Sequence, residues 1–209
     1  MNQLNYNELL AILSYNLDNT DKKRYFIALS GPPASGKSTI SEKIIQDLNS
    51  KGYQSSVLQM DGFHLDDQIL KDRNLISKKG APETFDVWGL ISFLSRLQNE
   101  PEVIVPIFDR SLELSRSSAT IISKETKVIV VEGNYLLLKS KPWDNLQKLF
   151  DVSVMISCEE KVLEKRLLER WKSFNLSKED TYQKVYQNDL PNGLNVLNNS
   201  SASDYILTN

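Results

Sequence analysis

Two glycines, two prolines and a lysine stand together in GPPASGKS, residues 31–38, between an apolar run and a segment with helical spacing. Such a loop lets the backbone approach a ligand and exposes unpaired N–H groups at the positive end of a helix dipole. The phosphate-binding pattern G-x-x-x-x-G-K-[ST], the P-loop, is matched by Gly31, Gly36, Lys37 and Ser38. It predicts that amides hold the α and β phosphates of a nucleotide, that Lys37 reaches the β and γ phosphates and that Ser38 binds Mg²⁺. The predicted nucleotide-binding residues are Gly31, Pro32, Pro33, Ala34, Ser35, Gly36, Lys37, Ser38 and Thr39.

Two carboxylates follow apolar runs that are predicted strands. Asp61 ends the run in LQMDGFH, and Glu132 ends the run in VVEGN. Ligands bind at the carboxyl edge of a parallel sheet, where Asp61 could accept the proton of an attacking hydroxyl, bind the metal or do both. An Asp-Gly pair is also a common turn. Glu132 takes the position of a Walker B acid, and because a buried carboxylate is costly without a partner, we expect it to bind Mg²⁺.

The composition is that of a globular protein that binds a small ligand. The chain has 209 residues with 25 basic and 27 acidic side chains, a net charge of −2. This balance favours neither nucleic acid nor a membrane surface as a partner. The single cysteine, the polar start and the lack of a long apolar stretch predict a cytoplasmic protein. We expect one domain over residues 1–209, as a monomer or a homodimer.

Predicted strands and helices alternate along the chain. The strands cover residues 24–30, 53–60, 102–108, 127–133 and 151–157, and the helices cover 4–16, 38–50, 87–99, 159–174 and about 178–186. This alternation predicts an α/β fold with a parallel sheet covered on both faces. The tail at 188–203 is rich in Asn and Ser and is predicted to be partly loose.

Seven segments together resemble one family of P-loop kinases. They are GPPASGKST, MDGFHLDD, KKGAPETFDVWGL, PIFDR, VVEGNYLLL, RLLERW and NDLPNG. The family includes uridine kinase, phosphoribulokinase and the bacterial pantothenate kinases, and the chain is most similar to the branch often labelled fructose-transport-system kinase or pantothenate-kinase-like. The resemblance implies a Rossmann-like P-loop NTPase fold, a three-layer sandwich with a five-stranded parallel sheet. It also implies an acceptor-binding insert at about 62–110 and a short lid at about 159–176.

The resemblance also implies an activity, the ATP-dependent phosphorylation of a hydroxyl on a small molecule. Carried over by position, it makes Asp61 the catalytic base and puts Ser38 and Glu132, with Asp61, around Mg²⁺. Asp86 matches the acid that binds sugar hydroxyls in uridine kinases. Asp86 also precedes a predicted helix, where it could be only an N-cap.

Other side chains are candidates for the acceptor site. Phe108 stands where uridine kinases have a tyrosine, and the histidine they carry a few residues later is missing here, with Glu113 near its place. This departure argues against uridine as the acceptor. His64 could line the pocket or be structural. Lys79 and Arg110 could bind a carboxylate or a phosphate of the acceptor, or could be solvated charges.

Arg166 and Arg170 are spaced i, i+4 and so project from one face of a helix. The resemblance implies that they close over the phosphates and offset the charge of the transition state. A salt-bridged surface helix is the alternative, since several glutamates crowd the same segment. Asn188, Asp189 and Asn192 resemble a family segment near the adenine end of the nucleotide, although their spacing predicts no contact.

Two functions are compatible with these residues. The first is a metabolite kinase whose acceptor is sugar-like, pantothenate-like or nucleoside-like. The second is a regulatory P-loop ATPase that hydrolyses ATP to switch a protein interaction. The N-K-x-D motif that reads guanine is absent from the sequence. The long insert after the second predicted strand favours the kinase, because a switch needs no such set of acceptor ligands beside the γ phosphate.

Overall fold

The computed structural model describes residues 2–174 and 176–208. Its strands are β1 (Asn2–Leu4), β2 (Tyr25–Ser30), β3 (Ser55–Gln59), β4 (Val103–Asp109), β5 (Leu114–Ile122), β6 (Val128–Gly133), β7 (Val152–Ser157) and β8 (Tyr205–Thr208). Its α-helices are α1 (Tyr6–Asp18), α2 (Lys37–Ser50), α3 (Asp67–Asp72), α4 (Val87–Asn99), α5 (Glu160–Lys172), α6 (Lys178–Lys184) and α7 (Leu190–Asn199). A π-helical turn, Val185–Asp189, joins α6 to α7.

Six of the described strands form one parallel sheet in the order β1-β8-β7-β2-β6-β3. Alternate residues of its central strands enter different apolar cores, as the pleat requires. Ile27 and Leu29 pack with α1 and α2, whereas Phe26 and Ala28 pack with α4 on the other face. Since both faces are covered, β2 and β6 are buried along their whole length. The predicted α/β sandwich with a parallel sheet is confirmed.

Three details of the predicted fold were wrong. The sheet has six strands rather than five, because it contains four of the five predicted strands and two short terminal strands, β1 and β8, at one edge. The predicted strand at 102–108 is β4, which pairs with β5 in an antiparallel hairpin outside the main sheet. The tail is not loose over 190–199, where α7 buries Gly193 and Val196. The pairing partner of a strand and the packing of a weakly apolar helix are long-range properties, which local periodicity does not contain.

The order of the sheet determines where the site forms. β2 lies between β6 and β7, so the chain leaves β2 at the point where the connections diverge to opposite sides of the sheet. Ligands of open α/β sheets bind at this switch point, beyond the carboxyl ends of the strands. The loop after β2 and the ends of β3, β6 and β7 therefore meet at one edge of the sheet.

Candidate active site

The loop between β2 and α2 has two residues in the left-handed region of the backbone. Gly36, the N-cap of α2, has a φ of +91°, and Ala34 has a φ of +60°. A Cβ added to Gly31 would lie 2.8 Å from the carbonyl oxygen of Ile156 in β7. A side chain at residue 31 would therefore move the loop away from the sheet. This geometry presents the N–H groups at the start of α2 to an anion.

Lys37 lies at the first turn of α2 with only 7% of its surface exposed. Its Nζ donates to the carbonyl oxygen of Pro32 at 2.9 Å. Burial lowers the pKa of Lys37 to about 8, and the nearby carboxylates of Glu132 and Asp61 limit this decrease. A buried ammonium at this position is ready to pair with phosphate oxygens.

Glu132, 6% exposed, ends β6 beside Leu29 of β2 and Gln59 of β3. Its carboxylate accepts a hydrogen bond from the Ser38 hydroxyl at 3.2 Å, and the Ser41 hydroxyl, which donates to the Ser38 carbonyl oxygen at 2.8 Å, lies 3.4 Å from the same carboxylate. Burial raises the pKa of Glu132, whereas the charge of Lys37 lowers it. Sequence reasoning missed Ser41, although its position one helical turn after Ser38 was the available signal.

The oxygen atoms at this edge of the sheet have the chemistry that Mg²⁺ prefers. Ser38 offers a hydroxyl, and Glu132 and Asp61 offer carboxylates. Within residues 2–174 and 176–208, no group of three or more His, Cys, Asp or Glu side chains could hold a metal ion. The fit of Mg²⁺ to this site therefore depends on the hydroxyl and the two carboxylates together.

Asp61 lies in a 3-10 turn, Met60–Phe63, that begins directly after β3. Its side chain is 28% exposed, and one carboxylate oxygen lies 3.4 Å from Nη2 of Arg110. Arg110 follows β4 and is more exposed than Asp61. The carboxylate is therefore reachable by a ligand that displaces the arginine.

Two adjoining depressions meet at Asp61. The loop cleft, about 400 Å³ in volume, includes Gly36, Lys37, Ser38, Thr39, Glu132 and Phe174 in its lining. The side pocket, about 110 Å³, includes His64, Lys79, Phe85, Phe108, Trp171, Lys184, Asn188, Asp189 and Asn192. Residues that line both are Pro33, Asp61, Arg110, Glu113, Asn134 and Arg170. A phosphate chain in the loop cleft would thus end next to a second molecule in the side pocket.

Aromatic rings form one wall of the side pocket. The His64 ring lies between Phe85 and Phe108, with centroid distances of 4.1 and 4.7 Å. Its Nδ1 lies 2.8 Å from the carbonyl oxygen of Asp61, and burial lowers the pKa of His64. A neutral imidazole is therefore favoured at neutral pH, with Nδ1 as the donor to this carbonyl.

Two other predicted acceptor ligands, Lys79 and Asp86, lie in different clefts. Lys79 lines the side pocket, where its Nζ donates to the Asp67 carboxylate and to the Glu113 carbonyl oxygen, each at 2.6 Å. Asp86 caps α4 by accepting from the Gly89 N–H at 2.8 Å. Among the described residues that line the two depressions Asp86 is absent, and it lies in a separate cleft. The N-cap alternative is confirmed, and the substrate role of Asp86 stays a prediction.

The two arginines of α5 lie toward the P-loop. Arg166 donates to the carbonyl oxygen of Ser35 at 3.4 Å, and Arg170 lines both depressions. In the described part of the chain, neither guanidinium has a carboxylate within ion-pair distance, unlike the salt-bridged alternative. The predicted lid at 159–176 contains Asn175, which lies outside the described residues.

The polar residues that follow α6 line the side pocket. Asn188, Asp189 and Asn192 lie there beside Asp61, and their resemblance to a segment near the adenine end of the nucleotide stays a prediction. Trp171 and Lys184, which also line the side pocket, were missed altogether. The available signal was compositional, since a run of Asn and Asp near the end of a kinase-like chain is a set of potential hydroxyl ligands.

Comparison with known proteins decides the family. The model of the Phosphoribulokinase / Uridine kinase family matches residues 26–173. The chain belongs to this family. Like its relatives in the phosphoribulokinase/uridine kinase family, it is an ATP-dependent phosphotransferase that acts on a small molecule.

Individual members of the family are similar over most of the chain. A crystal structure from Silicibacter sp. TM1040, provisionally named a fructose transport system kinase, is 35% identical, with a TM-score of 0.89 and coverage of 95% of this chain and 98% of that one. YggC of Escherichia coli, described as uncharacterized, is 30% identical over 89% of this chain and 78% of its own length. The pantothenate kinase of Ligilactobacillus salivarius is 30% identical over 73% of this chain, which spans about half (51%) of that longer protein. Along the described residues, no helix has the length and apolar character needed to cross a membrane.

The lowered pKa of Lys37 predicts that affinity for ATP falls as the pH rises above about 8. The free site loses its Lys37 proton near this pH, whereas bound phosphates favour the charged form, so binding above it requires proton uptake. Affinity should then fall by up to about tenfold per pH unit between roughly pH 8 and 10. Calorimetric titration in buffers of different ionisation enthalpy measures both quantities. Lys37→Arg, which keeps its charge, is the control. Affinity that stays constant across this range in the wild type would contradict the prediction.

Proposed function

We propose that this kinase transfers the γ phosphate of ATP to a hydroxyl of a small metabolite bound in the side pocket. The observation that carries the proposal is the position of Asp61, which borders both the loop cleft and the side pocket. A carboxylate at this junction is within reach of an acceptor hydroxyl and of the phosphate that it attacks. Asp61 then acts as the general base.

The other residues of the loop cleft hold and orient the nucleotide. The N–H groups of the P-loop bind the α and β phosphates, and Lys37 pairs with the β and γ phosphates. Arg166 lies against the P-loop backbone and Arg170 faces the junction of the two depressions. Both guanidinium groups stabilise negative charge as it moves between the leaving and attacking oxygens.

Mg²⁺ fits the oxygen atoms of Ser38, Glu132 and Asp61. When bound, it neutralises part of the charge on the phosphates. Ser38 donates to the Glu132 carboxylate, and Ser41, which donates to the Ser38 carbonyl oxygen at 2.8 Å, lies beside the same carboxylate. Glu132 and the Ser38 hydroxyl are therefore proposed to select the metal-bound form of ATP.

A test of the metal site is Glu132→Gln, which keeps the shape and removes the charge. The Mg²⁺ concentration that gives half-maximal ADP production should rise by about tenfold or more, because a neutral amide is a weaker ligand for a hard cation. The matched control is Glu169→Gln, an exposed position on α5. An unchanged Mg²⁺ requirement in Glu132→Gln would remove Glu132 from the metal site.

The acceptor side is proposed to bind a compact polar molecule. The rings of His64, Phe85 and Phe108 supply a flat wall, and amides and charged groups supply the rest of the side pocket. Arg110 is proposed to leave Asp61 when an acceptor binds, since its contact at 3.4 Å is long and exposed. Arg110 and Lys79 are also proposed to contact the acceptor, as the sequence predicts.

The experiment that tests the proposed function is a screen of hydroxylated metabolites. Sugars, hydroxy acids, pantothenate and nucleosides are each added to the protein with ATP and Mg²⁺. The kinase proposal expects ADP release above the background without acceptor, together with a phosphorylated product detected by mass spectrometry. ATP hydrolysis that no acceptor increases, and that a protein partner does increase, would instead support the regulatory ATPase.

A further inference from the structure

A hydrogen bond joins the end of the arginine-bearing helix to the side pocket. Nε1 of Trp171, near the end of α5, donates to Oδ2 of Asp189 at 2.7 Å. Asp189 is the last residue of the π-helical turn Val185–Asp189. Such turns are rare and are often found at functional sites. The bond therefore connects α5, which carries Arg166 and Arg170, with the turn whose residues Asn188 and Asp189 line the side pocket.

Asp189 is half-buried, and its hydrogen-bond donors are neutral groups. Its second oxygen, Oδ1, accepts from Nδ2 of Asn188 at 3.2 Å, and the same Nδ2 donates to the Lys79 carbonyl oxygen at 2.9 Å. Burial raises the pKa of Asp189, and the Trp171 bond and the charge of Arg170 act against this increase. The positive charges of Arg170 and Lys184 also act on this carboxylate, and all three residues line the side pocket. Asp189 therefore lies where it can contact both a bound molecule and the indole of Trp171.

The Trp171 ring also contacts Arg170, a candidate catalytic residue. The Arg170 guanidinium lies 5.5 Å from the Trp171 ring centroid, and Nζ of Lys184 lies 5.4 Å from it. These are cation–π distances, so the ring restricts where both cations can lie. Trp171, Lys184 and Asp189 line the side pocket, while Arg170 lines both depressions. A continuous set of contacts thus runs from the side pocket to the phosphate site.

We propose that Trp171 and Asp189 are positioning residues that couple occupation of the side pocket to the placement of Arg170. An acceptor that contacts Asn188 and Asp189 restricts the Asp189 carboxylate. Through its hydrogen bond, this carboxylate fixes the Trp171 indole, and the indole positions the Arg170 guanidinium over the phosphates. Transfer to the acceptor is then favoured over hydrolysis. This inference rests on the proposed function, because it needs an acceptor in the side pocket.

The first test is Trp171→Phe, which keeps a ring for Arg170 and removes the N–H donor. Acceptor-dependent kcat should fall by about tenfold or more, the effect of losing a hydrogen bond to a charged group. The KM for ATP should stay within about twofold of wild type, and the slow ADP release without acceptor should fall less than the acceptor-dependent rate. Trp88→Phe, at an exposed position on α4, is the matched control. An unchanged kcat, or an equal fall of both rates with a lower Tm, would overturn the proposal.

A double-mutant cycle with Asp189→Asn separates coupling from simple damage. If the two residues act through their hydrogen bond, the double variant should be no slower than the slower single variant by more than about twofold. Effects that multiply would show that the two residues act independently, and the proposal would be wrong.

A final measurement keeps the proposal separate from the proposed function. Hydrogen exchange is followed in residues 185–192 while a non-hydrolysable ATP analogue is added without acceptor. Exchange should slow in the wild type and not in Trp171→Phe, because the analogue fixes Arg170 and the indole transmits this to Asp189. Equal slowing in both proteins overturns the coupling even if an acceptor is phosphorylated. A difference between them supports the coupling even if the metabolite screen finds no acceptor.

Discussion

Exchanging Asp61 for asparagine should slow phosphorylation of the acceptor by about 10²- to 10⁴-fold, the usual contribution of a general base. Asparagine has nearly the same shape and can still accept a hydrogen bond from Arg110, but it cannot take a proton from the attacking hydroxyl. Nucleotide affinity should stay within about tenfold, or 1.4 kcal/mol, because the P-loop amides and Lys37 still hold the phosphates. The expected result is therefore a loss of chemistry with ATP still bound.

The measurement compares acceptor-dependent ADP production with a nucleotide titration of the same preparation. Asp72→Asn, an exposed position on α3 in the same insert, is the matched control and should resemble the wild type. If the Asp61 carboxylate touches Mg²⁺, ADP production by Asp61→Asn should also depend less strongly on the Mg²⁺ concentration. Equal acceptor-dependent rates in the wild type and in Asp61→Asn would remove Asp61 from the chemistry and leave Asp61-Gly62 as a turn.

Lys37→Ala should lower kcat by about 10²-fold or more while the fold stays intact. The lysine stabilises a loose, anionic transition state more than the ground state, because charge spreads over the γ-phosphate oxygens only during transfer. The fold should tolerate the change, since burial already disfavours the charged form and lowers the pKa of Lys37 to about 8. Alanine removes that desolvated cation together with its single bond to Pro32.

Steady-state kinetics, calorimetry and a thermal unfolding scan test this variant together. Lys51→Ala, at the exposed C-cap of the same helix, is the control for the loss of one positive charge. A Tm near that of wild type with a large loss of kcat is the expected combination. Unchanged turnover together with unchanged nucleotide affinity would contradict the proposed role of Lys37.

The family and the phosphate-binding loop were predictable because their signals are local. Gly36 is required by a positive φ, and a Cβ added to Gly31 would lie 2.9 Å from the Ser35 hydroxyl oxygen, so both requirements act within a few residues of chain. The apolar run before Glu132 predicted a strand buried on both faces, and β6 is buried along its whole length. The strand–loop–helix order then determined what the lysine and the two carboxylates could do.

The side pocket and the sheet edges were decided by tertiary structure alone. β1 and β8 are too short to show a period, and they pair across almost the whole chain, Asn2 with Tyr205. The packing of α4 made Asp86 an N-cap and placed it in a separate cleft, and its spacing in the sequence showed neither the contact nor the cleft. Asp189, at the end of a π-helical turn, meets Trp171 of α5, a contact between separate helical segments. Periodicity tells which face of an element is buried, whereas the neighbour that covers this face depends on contacts between residues far apart in the sequence.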